Sequence, residues 1–112
     1  MIKIYHNPRC SKSRQTLALL EESGASSEVV EYLNNPPSKE DVQDLVKKLN
    51  MPVQEIVRKK EAKDLGLDLK TIEADALISE IVTHPILIER PIVVTDKGAR
   101  ICRPPETVHE IL

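Results

Sequence analysis

A strand, a basic loop and a helix follow one another at the start of this chain, and their order limits what the rest can become. Ile2-Lys3-Ile4-Tyr5 reads as a short strand. Ser11 to Glu22 reads as a helix, with Leu17, Ala18 and Leu20 at helical spacing and Gly24 as its C-terminal stop. Val29-Val30-Glu31-Tyr32 then reads as a second extended segment, apolar and buried. Two strands joined by so short a helical crossover favour parallel pairing. Cys10 is thereby expected where the loop His6-Asn7-Pro8-Arg9 leaves a strand and enters a helix.

That position has chemical consequences. The first turn of a helix leaves backbone N–H groups without internal partners, and the helix dipole puts partial positive charge there. Both stabilise a thiolate. Arg9, Lys12 and Arg14 add three cations within four residues of the sulfur. A free cysteine titrates near 8.5, and such surroundings bring that to about 3.5–7.5. The same N–H groups and cations form a ready oxyanion site, so Lys12, Ser13 and Arg14 are read as substrate-binding. An inert buried thiol would explain the sulfur but not the cations beside it. The position three after Cys10 is Ser13, so there is no C-x-x-C dithiol. A second thiol has to come from elsewhere in the chain or from another molecule.

Composition excludes several classes. The 112 residues are the size of one domain, with no linker long enough to split it. There are two Tyr, no Phe and no Trp, so Leu, Ile, Val and Ala must build the core. Recognition of single-stranded nucleic acid by base stacking needs exposed aromatic rings. A net charge of −2 makes the basic loop a local feature and leaves no broad basic face for a duplex. No run of about 18 apolar residues exists to span a membrane. Two cysteines and no export signal place the chain in a reducing cytoplasm. Metal binding is not expected, because Cys10 and His6 are too few ligands and no second pair sits at zinc spacing.

Further along, Asn34-Asn35-Pro36-Pro37 is a break. Ser38 and Asp41 suggest a capping box, and Val42, Leu45, Val46 and Leu49 give a helix one apolar face until Asn50. Val53, Ile56 and Val57 suggest a short helix after Pro52, with Arg58 at its C-terminal end, where a cation suits the dipole. Arg58 to Asp64 is dense in charge and reads as solvated surface. Ile72 to Thr83 reads as another amphipathic helix, ending before His84-Pro85. Pro91-Ile92-Val93-Val94 and Ala99-Arg100-Ile101-Cys102 form an antiparallel hairpin, with Gly98 where positive φ is needed. Glu106 to Leu112 is a short last helix, with Val108 and Leu112 facing inward. The order is β-α-β, a helical insertion at about 36–88, then β-β-α: an α/β chain with a mixed sheet.

A reactive cysteine between the first strand and helix, followed by β-β-α, resembles the thioredoxin-like plan. His6-Asn7-Pro8 before Cys10, Ser13-Arg14 after it, Arg90-Pro91-Ile92-Val93-Val94 and Cys102-Arg103-Pro104 together resemble the arsenate reductases that work with glutathione and glutaredoxin. The likeness runs from Ile4 to Leu112. It implies that Cys10 attacks arsenate or a related oxyanion, that Arg58, Arg90 and Arg103 hold it, and that His6 influences the thiol's pKa, its imidazolium stabilising the thiolate. It also implies a cis bond before Pro91. Glutathione would resolve the adduct as co-substrate, and glutaredoxin would reduce the mixed disulfide, with no bound cofactor and a monomeric protein. The family's residues around the cysteine are small, alanine before it and glycine then threonine after. Here they are Arg9, Ser11 and Lys12.

Two other functions fit parts of the sequence. Ser13 at the resolving position permits a monothiol glutaredoxin-like enzyme, although the three arginines then lack a purpose. The same fold family holds regulators that bind RNA polymerase and sense oxidation through C-x-x-C, a switch that Ser13 removes. Cys102 reads as a strand residue rather than a resolving thiol.

Overall fold

The computed structural model describes residues 2–112. The chain forms two compact units. One comprises Arg90–Leu112 together with the chain up to Asn35, and the other is Pro36–Glu89.

The first unit is built on four strands: β1 (Ile2–Tyr5), β2 (Ser27–Val30), β3 (Ile92–Thr95) and β4 (Gly98–Ile101). Their order in the sheet is β2-β1-β3-β4. β1 and β2 are parallel, as the short crossover requires, with Ile2 opposite Ser27 and Tyr5 opposite Val30. β1 pairs antiparallel with β3, and β3 with β4. This is the mixed sheet of the thioredoxin-like plan. The crossover is helix α1 (Ser11–Glu22), and Gly24 follows its end at φ 77°. β3 and β4 turn through Asp96 and Lys97, and Gly98 takes φ 134°, where a side chain would be strained.

Three expectations shift in this unit. The second strand occupies Ser27–Val30 rather than Val29–Tyr32, because its pairing ends where β1 ends and the active loop begins. It is also an edge strand, neighboured on one side only, so Val29 is 43% exposed instead of buried, while Tyr32 just beyond it is wholly buried. The last helix is a 3₁₀ segment, Pro105–Ile111, with Val108 and Ile111 buried and Leu112 half-buried against them. Ile4, Leu20, Val93, Cys102, Val108 and Ile111 form the core beneath the sheet. Burying one large aliphatic side chain contributes about 1.5–3 kcal/mol, and a core without Phe or Trp depends on assembling several.

The second unit is helical: α2 (Lys39–Leu49), a 3₁₀ turn (Val53–Ile56), α3 (Lys59–Asp64) and α4 (Ala74–Thr83). Ser38 and Asp41 form the expected capping box, each side chain accepting the other's backbone N–H at 3.1 Å. Asn50 ends α2 in the left-handed conformation, φ 55°. α4 starts two residues later than its periodicity suggests: Glu73 is extended at the N-cap, ψ 153°, and the Ile72 N–H belongs to the preceding turn, donating to the Asp68 carbonyl at 2.9 Å. Val57 leaves the helical run for an extended bridge to Ile88. Arg58 therefore begins helix α3 instead of ending a helix, and the dipole argument for a cation there fails. The guanidinium is held instead by Glu61, Nε to Oε2 at 3.0 Å. Among the described residues no helix is long and apolar enough to cross a membrane.

Candidate active site

Cys10 is the N-cap of α1, in extended conformation. Its N–H donates to the Asn7 carbonyl at 3.0 Å, and its carbonyl accepts from Arg14 N–H at 3.0 Å, so the loop is closed around the sulfur. Burial alone pushes the thiol's pKa up, and this is the largest single influence. The backbone N–H of Ser13, the Arg90 guanidinium and the N–H of Lys12 outweigh it together and hold the thiol below its ordinary value. The helix start thus acts as expected. The charges do not: of the cations near the sulfur it is Arg90, eighty residues away in sequence, that lowers the pKa, and not the side chains of Arg9, Lys12 or Arg14. Arg9 and Lys12 are exposed, and Arg14 spends Nη1 on the Pro8 carbonyl at 2.9 Å.

Arg90 stands just before β3, joined to buried Pro91 by the cis bond that the resemblance implied. Its guanidinium lies against the Cys10 sulfur and Tyr32, and both favour its charge against the cost of burial. Nε and Nη1 are nonetheless buried with no hydrogen-bond partner of good geometry among the described residues. Buried N–H donors without acceptors are rare, and here both belong to a cation. Arg103 is exposed, and its Nη1 donates to the Arg90 carbonyl at 3.2 Å, which places a second guanidinium on the same corner.

Ser13 is fully buried. Its Oγ accepts the Asn7 N–H at 3.1 Å and shares a 2.6 Å hydrogen bond with His6 Nδ1. It therefore shapes the loop, while its backbone N–H serves the sulfur. His6 is 5% exposed. Burial lowers its pKa, the Glu31 carboxylate partly offsets this, and Arg14 lowers it further. These influences together favour the neutral ring over the imidazolium that the resemblance implied. Cys102 lies just past β4, wholly buried, its thiol pushed up to about 12 first by burial and then by Glu110. Both cysteines are free.

The structure thus brings Cys10, Arg90, Arg103, His6 and Ser13 to one corner of the sheet unit. Arg58 stands in the helical unit. Two residues escaped the sequence reading. Tyr32 sits beside Arg90, and its only signal was that it is one of two aromatic residues in the chain. Asn7 braces the loop, its Oδ1 accepting the Arg9 N–H at 3.0 Å.

A β2-β1-β3-β4 sheet with a single cysteine capping the first helix defines a thioredoxin-like protein with one active-loop thiol. Comparison narrows the class. The model of the ArsC family matches residues 5–111. The chain is 46% identical to an arsenate reductase of Neisseria meningitidis serogroup A, covering 99% of this chain and 97% of that one. It is 51% identical to an uncharacterised protein of Escherichia coli strain K12, over 99% of this chain and 96% of the relative. The solved structure of an arsenate reductase from Vibrio cholerae superposes with a TM-score of 0.93 at 46% identity, over 99% of this chain and 97% of that one. The chain belongs to the ArsC family.

Proposed function

We propose that this protein is an arsenate reductase in which Cys10 is the nucleophile and the electrons come from thiols. One observation carries the reading. A thiol held below its ordinary pKa stands against the half-buried Arg90 side chain, whose Nε–H and Nη1–H are buried with no hydrogen-bond partner of good geometry among the described residues. A tetrahedral oxyanion supplies those acceptors and places its central atom within reach of the sulfur. Guanidinium is suited to this because its planar fork matches paired oxygens. Each charge-assisted contact is worth about 1.5–3 kcal/mol. Arg103 supplies a second fork, and Arg58 enters as a third arginine through the family resemblance.

The thiolate displaces one arsenate oxygen, which leaves as water after taking up protons. A second thiol then completes a two-electron reduction: arsenic(V) leaves as arsenite, and Cys10 is left in a disulfide with that thiol. Cys102 is unsuited to the task, being buried and titrating at about 12. The second thiol is therefore external, in keeping with glutathione as co-substrate and glutaredoxin as the protein that frees Cys10. The protein acts without a bound cofactor, as a monomer in a reducing cytoplasm.

The test is arsenite release from arsenate with glutathione and glutaredoxin. Wild type is expected to turn over and Cys10→Ser to be inactive. Wild type that exchanges disulfides at Cys10 yet releases no arsenite would reject the arsenate reading.

A further inference from the structure

Beside the active loop lies an open hollow of about 280 Å³, lined by His6, Asn7, Pro8 and Arg9 on one side and by Glu31, Leu33 and Asn34 on the other. The loops that follow parallel strands β1 and β2 form it, so it sits outside their C-terminal ends, where open α/β sheets commonly take ligands. We propose that this hollow holds the external thiol, and that it is built for a small zwitterionic peptide thiol, the class to which glutathione belongs. The inference rests on the external-thiol cycle proposed above.

The charges argue for such a ligand. Arg9 and Glu31 bring opposite charges to the hollow; no hydrogen bond or salt bridge holds either side chain to another described residue, although the Glu31 carboxylate also acts on the His6 ring across it. A second oxyanion would meet Arg9 but be repelled by Glu31. A ligand carrying both a carboxylate and an ammonium satisfies both. Asn34 offers an amide for a peptide group, and Leu33, 40% exposed, with Pro8 offers apolar surface to methylene groups. The volume is near the lower bound of small-ligand clefts, about 300 Å³, which suits a peptide of few residues and not a folded partner. The position supplies the last constraint: Cys10 does not line the hollow but directly follows Arg9, which does, so the ligand must reach from the hollow past Arg9 to bring its sulfur to the reacting one. This also gives Arg9 a use, since it is not among the groups that lead the lowering of the Cys10 pKa.

The test needs no arsenate. Cys10 is reacted with glutathione disulfide and, separately, with the neutral hydroxyethyl disulfide. In each case the thiolate attacks one sulfur, forms the mixed disulfide and releases the other half as thiolate. The ratio of the two rates is compared among wild type, Arg9→Gln and Glu31→Gln. Both substituted residues are exposed, so the fold is kept, and the neutral reagent corrects for any change in the thiol itself. Loss of one exposed ion pair is expected to lower the ratio about threefold to fivefold in each variant. The Glu31 result is decisive. Glutathione disulfide is an anion, so removing a carboxylate by itself attracts it and raises the ratio. Only a specific contact with the ammonium makes Glu31→Gln lower it. An unchanged or raised ratio in Glu31→Gln overturns the proposal. Normal discrimination in a protein that releases no arsenite would reject the arsenate reading alone, and arsenite release without discrimination would reject the hollow alone.

Discussion

His6 Nδ1 and Ser13 Oγ are 2.6 Å apart, both buried, and the same oxygen accepts the Asn7 N–H. One hydroxyl thus fastens the start of the loop after β1 to the first turn of α1, with Cys10 between. Ser13→Ala removes the acceptor and leaves a buried N–H and a buried ring nitrogen to find other partners. Such a loss costs about 1–3 kcal/mol. Urea denaturation is expected to show a fall of that size, with the slope of the transition unchanged. A variant as stable as wild type would mean that the hydroxyl is not what holds the loop.

Cys10 should become a thiolate at lower pH than a free cysteine. Its pKa is held below the ordinary value by the Ser13 N–H, by Arg90 and by the Lys12 N–H against the opposing effect of burial. Alkylation rate against pH is expected to reach half its plateau below about 8.5, the value of a free thiol. Because Arg9, Lys12 and Arg14 do not set the shift, Arg14→Gln is expected to leave the midpoint in place and Arg90→Gln to raise it. The reverse order would return the activation to the flanking cations.

How far the sequence revealed this depends on range. Cys10 at a strand-to-helix passage, the parallel pair, the hairpin at Gly98 and the Ser38 capping box are set within a few residues, and local spacing exposes them. Two of the features it misplaced are long-range. Val57 looks helical beside Val53 and Ile56, but its partner is Ile88, so Arg58 begins a helix where periodicity put an end. The conspicuous cations were those next to Cys10 in the chain. Arg90 comes to the sulfur only because β3 pairs with β1, and nothing near position 90 announces that. The resemblance, resting on Arg90-Pro91 as a motif, identified the residue without its reason.

Cys102 gives a prediction in alkali. In the unfolded chain its thiol loses a proton near 8.5, while in the fold burial pushes it up to about 12. Between these values the unfolded state has lost a proton that the native state keeps. The stability from the neutral buried thiol is complete below the unfolded value and is lost as pH rises from there through about 12. Cys102→Ala removes this dependence, though it also costs some packing. Denaturation midpoints measured from pH 7 to 10.5 are expected to fall less steeply in the variant than in wild type. The same variant, or Cys102→Ser, should keep most arsenite release with glutathione and glutaredoxin. A loss as complete as that of Cys10→Ser would mean an internal disulfide relay.

The two arginines on the Cys10 corner separate by what they do to the thiol. Arg90 touches the sulfur and also carries the buried donors, whereas Arg103 reaches the site through the Arg90 carbonyl and is itself exposed. Arg90→Ala should therefore raise the alkylation midpoint and lower arsenate reduction together. Arg103→Ala should lower arsenate reduction while leaving alkylation by a neutral reagent nearly unchanged. A contact of about 1.5–3 kcal/mol made in the transition state corresponds to roughly tenfold to a hundredfold in rate. Arg103→Lys should recover only part of it, since an ammonium does not reproduce the planar fork. Phosphate or sulfate should slow alkylation of Cys10 in wild type by occupying the same donors, and do so less in either variant. If both variants reduce arsenate normally and no anion protects the thiol, the unpaired N–H groups of Arg90 serve no oxyanion, and Cys10 is left as a disulfide-exchange thiol alone.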